Sequence, residues 1–137
     1  MEFSRIILAD ADADFAVMMT ALAMKEGMYI SWLNDGRKVV DVLSSGLMPD
    51  LLIVDRSLPV YDAFGLLKSI QSSERLDSLM TMVTSSTPTT EEEINSFNLG
   101  AIDYVHKPVN PKAFTSRISA RIRHARRLAD SINLPRI

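Results

Sequence analysis

Four consecutive apolar residues, Leu51-Leu52-Ile53-Val54, run straight into Asp55 with no polar residue among them. A strand that is apolar on both faces needs cover on both, which is the habit of a parallel sheet clad in helices. Short runs of the same kind recur along the chain: Arg5 to Ala9 before Asp10, Tyr29 to Leu33, Met80 to Val83 before Thr84, and Ile102 to His106 before Lys107. The intervening segments carry helical spacing. Phe15, Met18, Met19 and Leu22 predict a helix over 12–26, with acids in its first turn and Gly27 as its stop. Asp35 can cap a second over 36–45, ended by Gly46 and Pro49. Phe64, Leu67 and Ile70 predict a third over 62–72. Thr90 with Glu93 fits a capping box for a fourth that ends at Gly100. Pro111 suits the first turn of a fifth, along which Phe114, Ile118, Ile122, Ala125 and Leu128 trace one apolar stripe. Strand and helix therefore alternate five times, and the expectation is an α/β domain with a parallel sheet and right-handed crossovers.

The 137 residues suit one domain, expected at 1–126, with 127–137 as a helix extension, tail or linker stub. Leu128 and Ile132 keep the last stripe apolar, and Pro135 is expected to lie beyond the helix. The extension reads equally as a dimerisation surface, a linker or a frayed tail. Hydrophobic residues at 47% and charged residues at 23% describe a globular chain. A net charge of −2 supplies no global reason to bind nucleic acid. Arg117, Arg121, Arg123, Arg126 and Arg127 on the last helix read as its solvated face. The absence of cysteine excludes disulfides, thiolate metal sites and a cysteine nucleophile. Phe15 to Met24, the longest greasy stretch, is too short to span a bilayer, and no signal-peptide core follows Met1. A soluble cytoplasmic protein is the default expectation.

In an open parallel sheet, ligands bind at the carboxyl ends of the strands, where the winding reverses. The residues to weigh are those just after the strands: Asp10, Asp55, Thr84 and Lys107. In the order 2-1-3-4-5 their strands are neighbours, about 4.8 Å apart, so their side chains can meet in one small cleft. Each residue also has a plain reading. Asp55 or Asp10 can cap a helix, Lys107 can be a solvated surface group, Tyr104 can be a packing aromatic, and the methionines of the first helix can be simple core. His106 and His124 have no partner at metal-ligand spacing.

Taken together and in order, these segments resemble the receiver domains of two-component response regulators, of the chemotaxis-receiver type. The carriers are Ile7-Leu8-Ala9-Asp10, then Pro49 to Asp55 with Pro59 and Asp62 beyond, then Val83-Thr84-Ser85, then Gly100 to Pro108; the likeness covers roughly residues 3–126. The resemblance implies a (βα)5 flavodoxin-like doubly wound sheet. It implies Asp55 as the phosphoacceptor, taking a phosphoryl group from a histidine on a sensor kinase or phosphotransfer protein. A carboxylate is ionised at neutral pH and needs no base, but its charge must be managed as it approaches another anion. Mg²⁺ does this in the family, and the resemblance implies that Asp10, Asp55 and the backbone carbonyl of Ser57 would hold it here. Lys107 would pair with the phosphoryl oxygens, the Thr84 hydroxyl would donate to them, and Tyr104 would be the aromatic that changes rotamer. The Lys107-Pro108 peptide would be cis, directing the lysine. The signalling face would be built from the fourth helix, fifth strand and fifth helix, facing a downstream output domain or protein, with a homodimer among the partners. The activity would be that of a signalling phosphoacceptor rather than an enzyme.

Four departures qualify the likeness. Ala11 stands where the family has a second acid, so site charge falls from about −3 to about −2 and Mg²⁺ should bind more weakly. Asp12, one residue on, is not counted as its replacement. Arg56 follows the acceptor where the family is apolar, and either reaches the phosphoryl group or sits in solvent. Val60 and Ala63 replace common glycines and predict a stiffer loop. The alternative function is a degenerate receiver that works as a phosphorylation-independent interaction module. A flavin or nucleotide enzyme on this fold is disfavoured, because Asp10-Ala11-Asp12-Ala13-Asp14 is acidic and holds no glycine-rich phosphate loop. Trp32 is expected to lie too far from the site to report on it.

Overall fold

The structure, a computed structural model, describes residues 3–131. Its elements are β1 (Ser4–Ala9), α1 (Ala13–Lys25), β2 (Met28–Leu33), α2 (Gly36–Ser44), β3 (Leu51–Asp55), α3 (Ala63–Gln71), β4 (Thr81–Ser85), α4 (Thr90–Asn98), β5 (Asp103–His106) and α5 (Pro111–Ser131). The five strands form one sheet in the order β2-β1-β3-β4-β5, every pair parallel. This is the parallel α/β sheet that the alternation implied, in the flavodoxin-like (βα)5 form that the resemblance implied.

Side chains alternate across a strand, so each strand feeds two cores. Ile7, Ala9, Leu52, Val54, Val83 and Tyr104 pack with α2 and α3 on one face. Ile6, Leu8, Leu51, Ile53, Met82 and Val105 pack with α1 and α5 on the other. Leu51 to Val54 are wholly buried, as a doubly covered strand demands.

Acidic caps start three helices. Asp12, Asp35 and Asp62 accept from the amides of Phe15, Lys38 and Gly65 at 3.1, 2.9 and 2.9 Å. The fourth helix corrects the sequence reading. Its cap is Thr89, one residue before the expected Thr90, and it accepts from the Glu92 amide at 3.1 Å. The side chain of Glu92 then turns away to another partner, so no reciprocal capping box closes. The methionines of α1 are also not all core. Met19 is buried, whereas Met18 and Met24 are exposed, because α1 covers the sheet with one stripe only. On α5, Phe114, Ile118 and Ile122 are buried, Ala125 is partly buried and Leu128 is exposed. The helix runs unbroken across residue 126 to Ser131; Ile132 and Pro135 lie outside the described residues.

The loop after β3 is tightly held. Val60 sits at φ 74°, left-handed backbone that a β-branched residue adopts only under strain. Beside it, the Gly36 amide donates to the Pro59 carbonyl at 2.9 Å. A Cβ on Gly36 would stand 2.2 Å from the Tyr61 carbonyl oxygen, so only glycine fits. Gly36→Ala is therefore expected to destabilise the domain by about 2 kcal/mol, since backbone and not a flexible side chain must move. Urea unfolding measures this, and an unchanged midpoint would refute the close-contact argument.

Candidate functional site

The alternation that builds two cores also chooses the site. Asp10 continues the series Ile6, Leu8; Asp55 continues Leu51, Ile53; Thr84 follows Met82; Lys107 follows Val105. Register completes the assembly, because Ala9 lies beside Val54, Asp55 beside Thr84, and Thr84 beside Val105. All four residues thus stand at the carboxyl ends of neighbouring strands on the α1/α5 side.

Lys107 Nζ donates to both acids, to Asp55 Oδ2 at 2.6 Å and to Asp10 Oδ2. The other two oxygens are engaged as well. Asp10 Oδ1 accepts from the Asp12 amide at 2.9 Å, and Asp55 Oδ1 accepts from the Ser57 amide at 2.8 Å. The side chains of Asp10, Asp55 and Lys107 are 3%, 13% and 12% exposed, so the trio is largely withdrawn from water yet open on one side. Burial pulls the Lys107 ammonium down from the ordinary lysine value, but the hydrogen bonds and charges of Asp10 and Asp55 outweigh it and the net shift is upward. Its stabilising contribution is therefore complete below the ordinary lysine range and is lost only as the pH rises through the elevated value. The Lys107-Pro108 peptide is cis.

The cleft around the trio is lined by Ala11, Asp12, Phe15, Ser57, Ser86 and Val109 among others. Two neighbours were not foreseen. The Phe15 ring lies beneath Lys107 Nζ, 4.6 Å from its centroid, and adds a cation–π contact. Trp32 Nε1 donates to the Asp10 carbonyl at 2.7 Å, so the indole touches the site despite its place on the outer strand. Phe15 appeared in the sequence only as one member of a helical stripe, and no local signal marks Trp32.

Thr84 is wholly buried and does not line the cleft; its hydroxyl has no hydrogen-bond partner. Tyr104 belongs to the opposite face. Its ring is buried among the α2/α3 core, edge-on to His106, and its hydroxyl donates to Glu92 Oε1 at 2.9 Å. Burial and the Glu92 carboxylate hold its phenol above the ordinary tyrosine value.

Arg56 does neither of the two things expected of it. It continues the Val54 series and so leaves Asp55 on the other side of the sheet. Its Nη1 donates to Asp62 Oδ2 at 2.5 Å, its guanidinium lies 3.9 Å from the Phe64 ring centroid, and its Nε is 3.9 Å from Glu92 Oε2. For Asp62, burial favours the neutral acid, but the Gly65 amide and Arg56 prevail and lower it below its ordinary value. The arginines of α5 are more than a solvated face. Arg117 holds the buried Asp103 with two bonds of 2.6 and 2.7 Å, Arg121 reaches the same carboxylate at 3.5 Å, and Arg126 lies 3.7 Å from Asp50.

The oxygen donors present fit Mg²⁺ chemistry, which commonly uses one or two carboxylates plus phosphate oxygens and water. Ala11 adds no donor, Asp12 is committed to capping α1, and the described residues hold no cluster of three acids or histidines. No helix among the described residues is long and apolar enough to cross a membrane.

Comparison with known proteins matches this frame. Residues 6–119 match the family model described as the response regulator receiver domain. The DNA-binding response regulator MtrA of Mycobacterium tuberculosis is 29% identical over 119 residues, covering 87% of this chain and 50% of that protein. The chain thus spans about half the length of the curated relatives it matches. Among solved structures, an orphan response regulator of H. pylori aligns with TM-score 0.76 at 25% identity, over 87% of this chain and 96% of that one. The signal receiver domain of a LuxO repressor homologue from Vibrio parahaemolyticus aligns with TM-score 0.83 over 97% of this chain and 99% of that one, and at 19% identity it speaks for the fold alone. The chain belongs to the response regulator receiver domain family.

Proposed function

We propose that the domain is a phosphoacceptor in a two-component relay, with Asp55 as its nucleophile. The carrying observation is the Asp55 carboxylate at an open cleft, sharing the Lys107 ammonium with Asp10 and in register with a buried, unpartnered Thr84 hydroxyl. An Asp55 oxygen attacks the phosphorus of a phosphohistidine. The new O–P bond forms as the P–N bond breaks, and the imidazole leaves with the bonding pair and takes up a proton. Lys107 offsets charge on the phosphoryl oxygens, and Thr84 supplies a donor that has no other partner to lose. Asp10, Asp55 and the Ser57 carbonyl would hold Mg²⁺, which would supply further charge neutralisation when bound. The donor is a sensor histidine kinase or phosphotransfer protein. The readout is the α4–β5–α5 face, which engages an output domain, an output protein or a second copy of the chain. Function in the cytoplasm, away from membrane and nucleic acid for this domain, completes the reading.

One observation favours the alternative of a phosphorylation-independent interaction module: Ala11 leaves two acids, and all four of their oxygens already have internal partners. The two readings part on chemistry. Incubation with Mg²⁺ and a small acyl phosphate should add one phosphate by intact mass, absent in Asp55→Asn. Persistent failure with folded protein rejects the phosphoacceptor and leaves the module.

Two further outcomes follow from the charges. Ala11→Asp restores a third acid and should tighten Mg²⁺ binding on the order of tenfold. Trp32 fluorescence can follow this titration, because its indole is bonded to the Asp10 carbonyl. Equal affinity in the two proteins would dismiss the role given to Ala11. Lys107→Met leaves two withdrawn carboxylates without their counter-ion and should cost about 3 kcal/mol at neutral pH. The deficit should hold through neutral pH and shrink as the pH rises through the elevated lysine value, where the wild type loses its ammonium as well. A deficit that does not change with pH, measured by urea unfolding, would mean that Lys107 acts there through packing alone.

A further inference from the structure

We propose that Glu92 is a charged latch that holds Tyr104 in its buried position, and that Arg56 competes for that carboxylate and so couples the loop after Asp55 to the α4–β5 face. The inference rests on the reading of Tyr104 as the switching aromatic, but it requires no phosphoryl group.

Glu92 stands between two claimants. Its Oε1 accepts the Tyr104 hydroxyl at 2.9 Å, while its Oε2 is 3.9 Å from Arg56 Nε. That Nε is buried and has no hydrogen-bond partner. A normal N–H···O distance is about 2.9 Å, so Glu92 and Arg56 must approach by about 1 Å to satisfy it. Such an approach draws the carboxylate away from the tyrosine. The arrangement therefore has two states: Glu92 holds Tyr104, or Glu92 closes on Arg56 and releases it.

Arg56 is well placed to decide between them. Its amide donates to the Thr84 carbonyl at 2.8 Å, which pins its backbone to β4. Its guanidinium is held back by Asp62, the cap of α3, and rests on Phe64. Any displacement of the residues that follow Asp55 changes the distance between Arg56 and Glu92, on the face of the sheet remote from the acceptor. An apolar side chain at this position would cover Phe64 equally well, but it would offer nothing for Glu92 to choose.

The test is NMR of the tyrosine ring signals in the unphosphorylated full chain. Arg56→Met keeps the apolar contact with Phe64 and removes the charge; Glu92→Gln weakens the acceptor. Each should shift the Tyr104 signals while those of the exposed Tyr29, on the outer strand β2, stay in place. The double variant should show no more than the larger single effect, because both substitutions act on one contact. Arg56→Lys should move the signals back toward wild type, which a purely steric role would not do. All shifts should recur in an Asp55→Asn background, so a failure of phosphorylation leaves this result untouched. Unmoved Tyr104 signals in Arg56→Met, or effects of the two substitutions that simply add, would overturn the latch. If Arg56→Met loses its folded amide spectrum, the neutral Arg56→Gln takes its place in the same cycle under the same criteria.

Discussion

Lys107 reaches from the end of β5 to carboxylates at the ends of β1 and β3. Two acids this close, and this far withdrawn from water, repel each other strongly unless a cation lies between them. The ammonium supplies that cation from within the chain, and the Phe15 ring beneath it adds a further hold. One lysine thus ties three strands together at the edge where a parallel sheet is open. It also sets the resting charge of the cleft. The two carboxylates and one ammonium of the trio leave a net single negative charge, and Asp12 on the cleft wall adds a second.

The sheet divides the labour by parity. Successive side chains point to opposite faces, so Asp55 and Arg56, adjacent in sequence, serve different sides of the domain. Asp10, Asp55, Thr84 and Lys107 gather on the α1/α5 side. Arg56, Glu92 and Tyr104 gather on the side of α3 and α4. β4 carries both, since Thr84 faces one side and the next residue, Ser85, the other. A signalling domain needs its chemistry separated from its contact surface yet mechanically joined to it, and strand alternation provides that separation at no cost in chain length.

Much of this could be read from the residues alone. The five apolar runs located the strands, and Asp12, Asp35 and Asp62 located three helix starts, because a capping side chain leaves a local mark. The candidate cleft was legible for the same reason, since strand ends are visible in sequence and parallel sheets bind ligands there. The start of α4 is not fixed locally, because Thr89-Thr90 followed by Glu91-Glu92-Glu93 offers two equivalent frames and the structure takes the first. For Arg56, parity along β3 already points the side chain away from the Asp55 side, but nothing local names Asp62, Phe64 and Glu92 as its neighbours. Phe15 and Trp32 escaped as site neighbours because each touches it through a contact long in sequence.

The sequence by itself determined the fold class and the four residues that stand at the carboxyl ends of the strands, since these depend on periodicity and on chain order. Tertiary structure alone decided the rest. It placed one ammonium between two particular oxygens, brought an indole to the Asp10 carbonyl, left the Thr84 hydroxyl without a partner, and set Glu92 between Tyr104 and Arg56. Those are matters of distance between residues tens of positions apart, and no local pattern encodes whether two such side chains meet at 2.6 Å or stop at 3.9 Å.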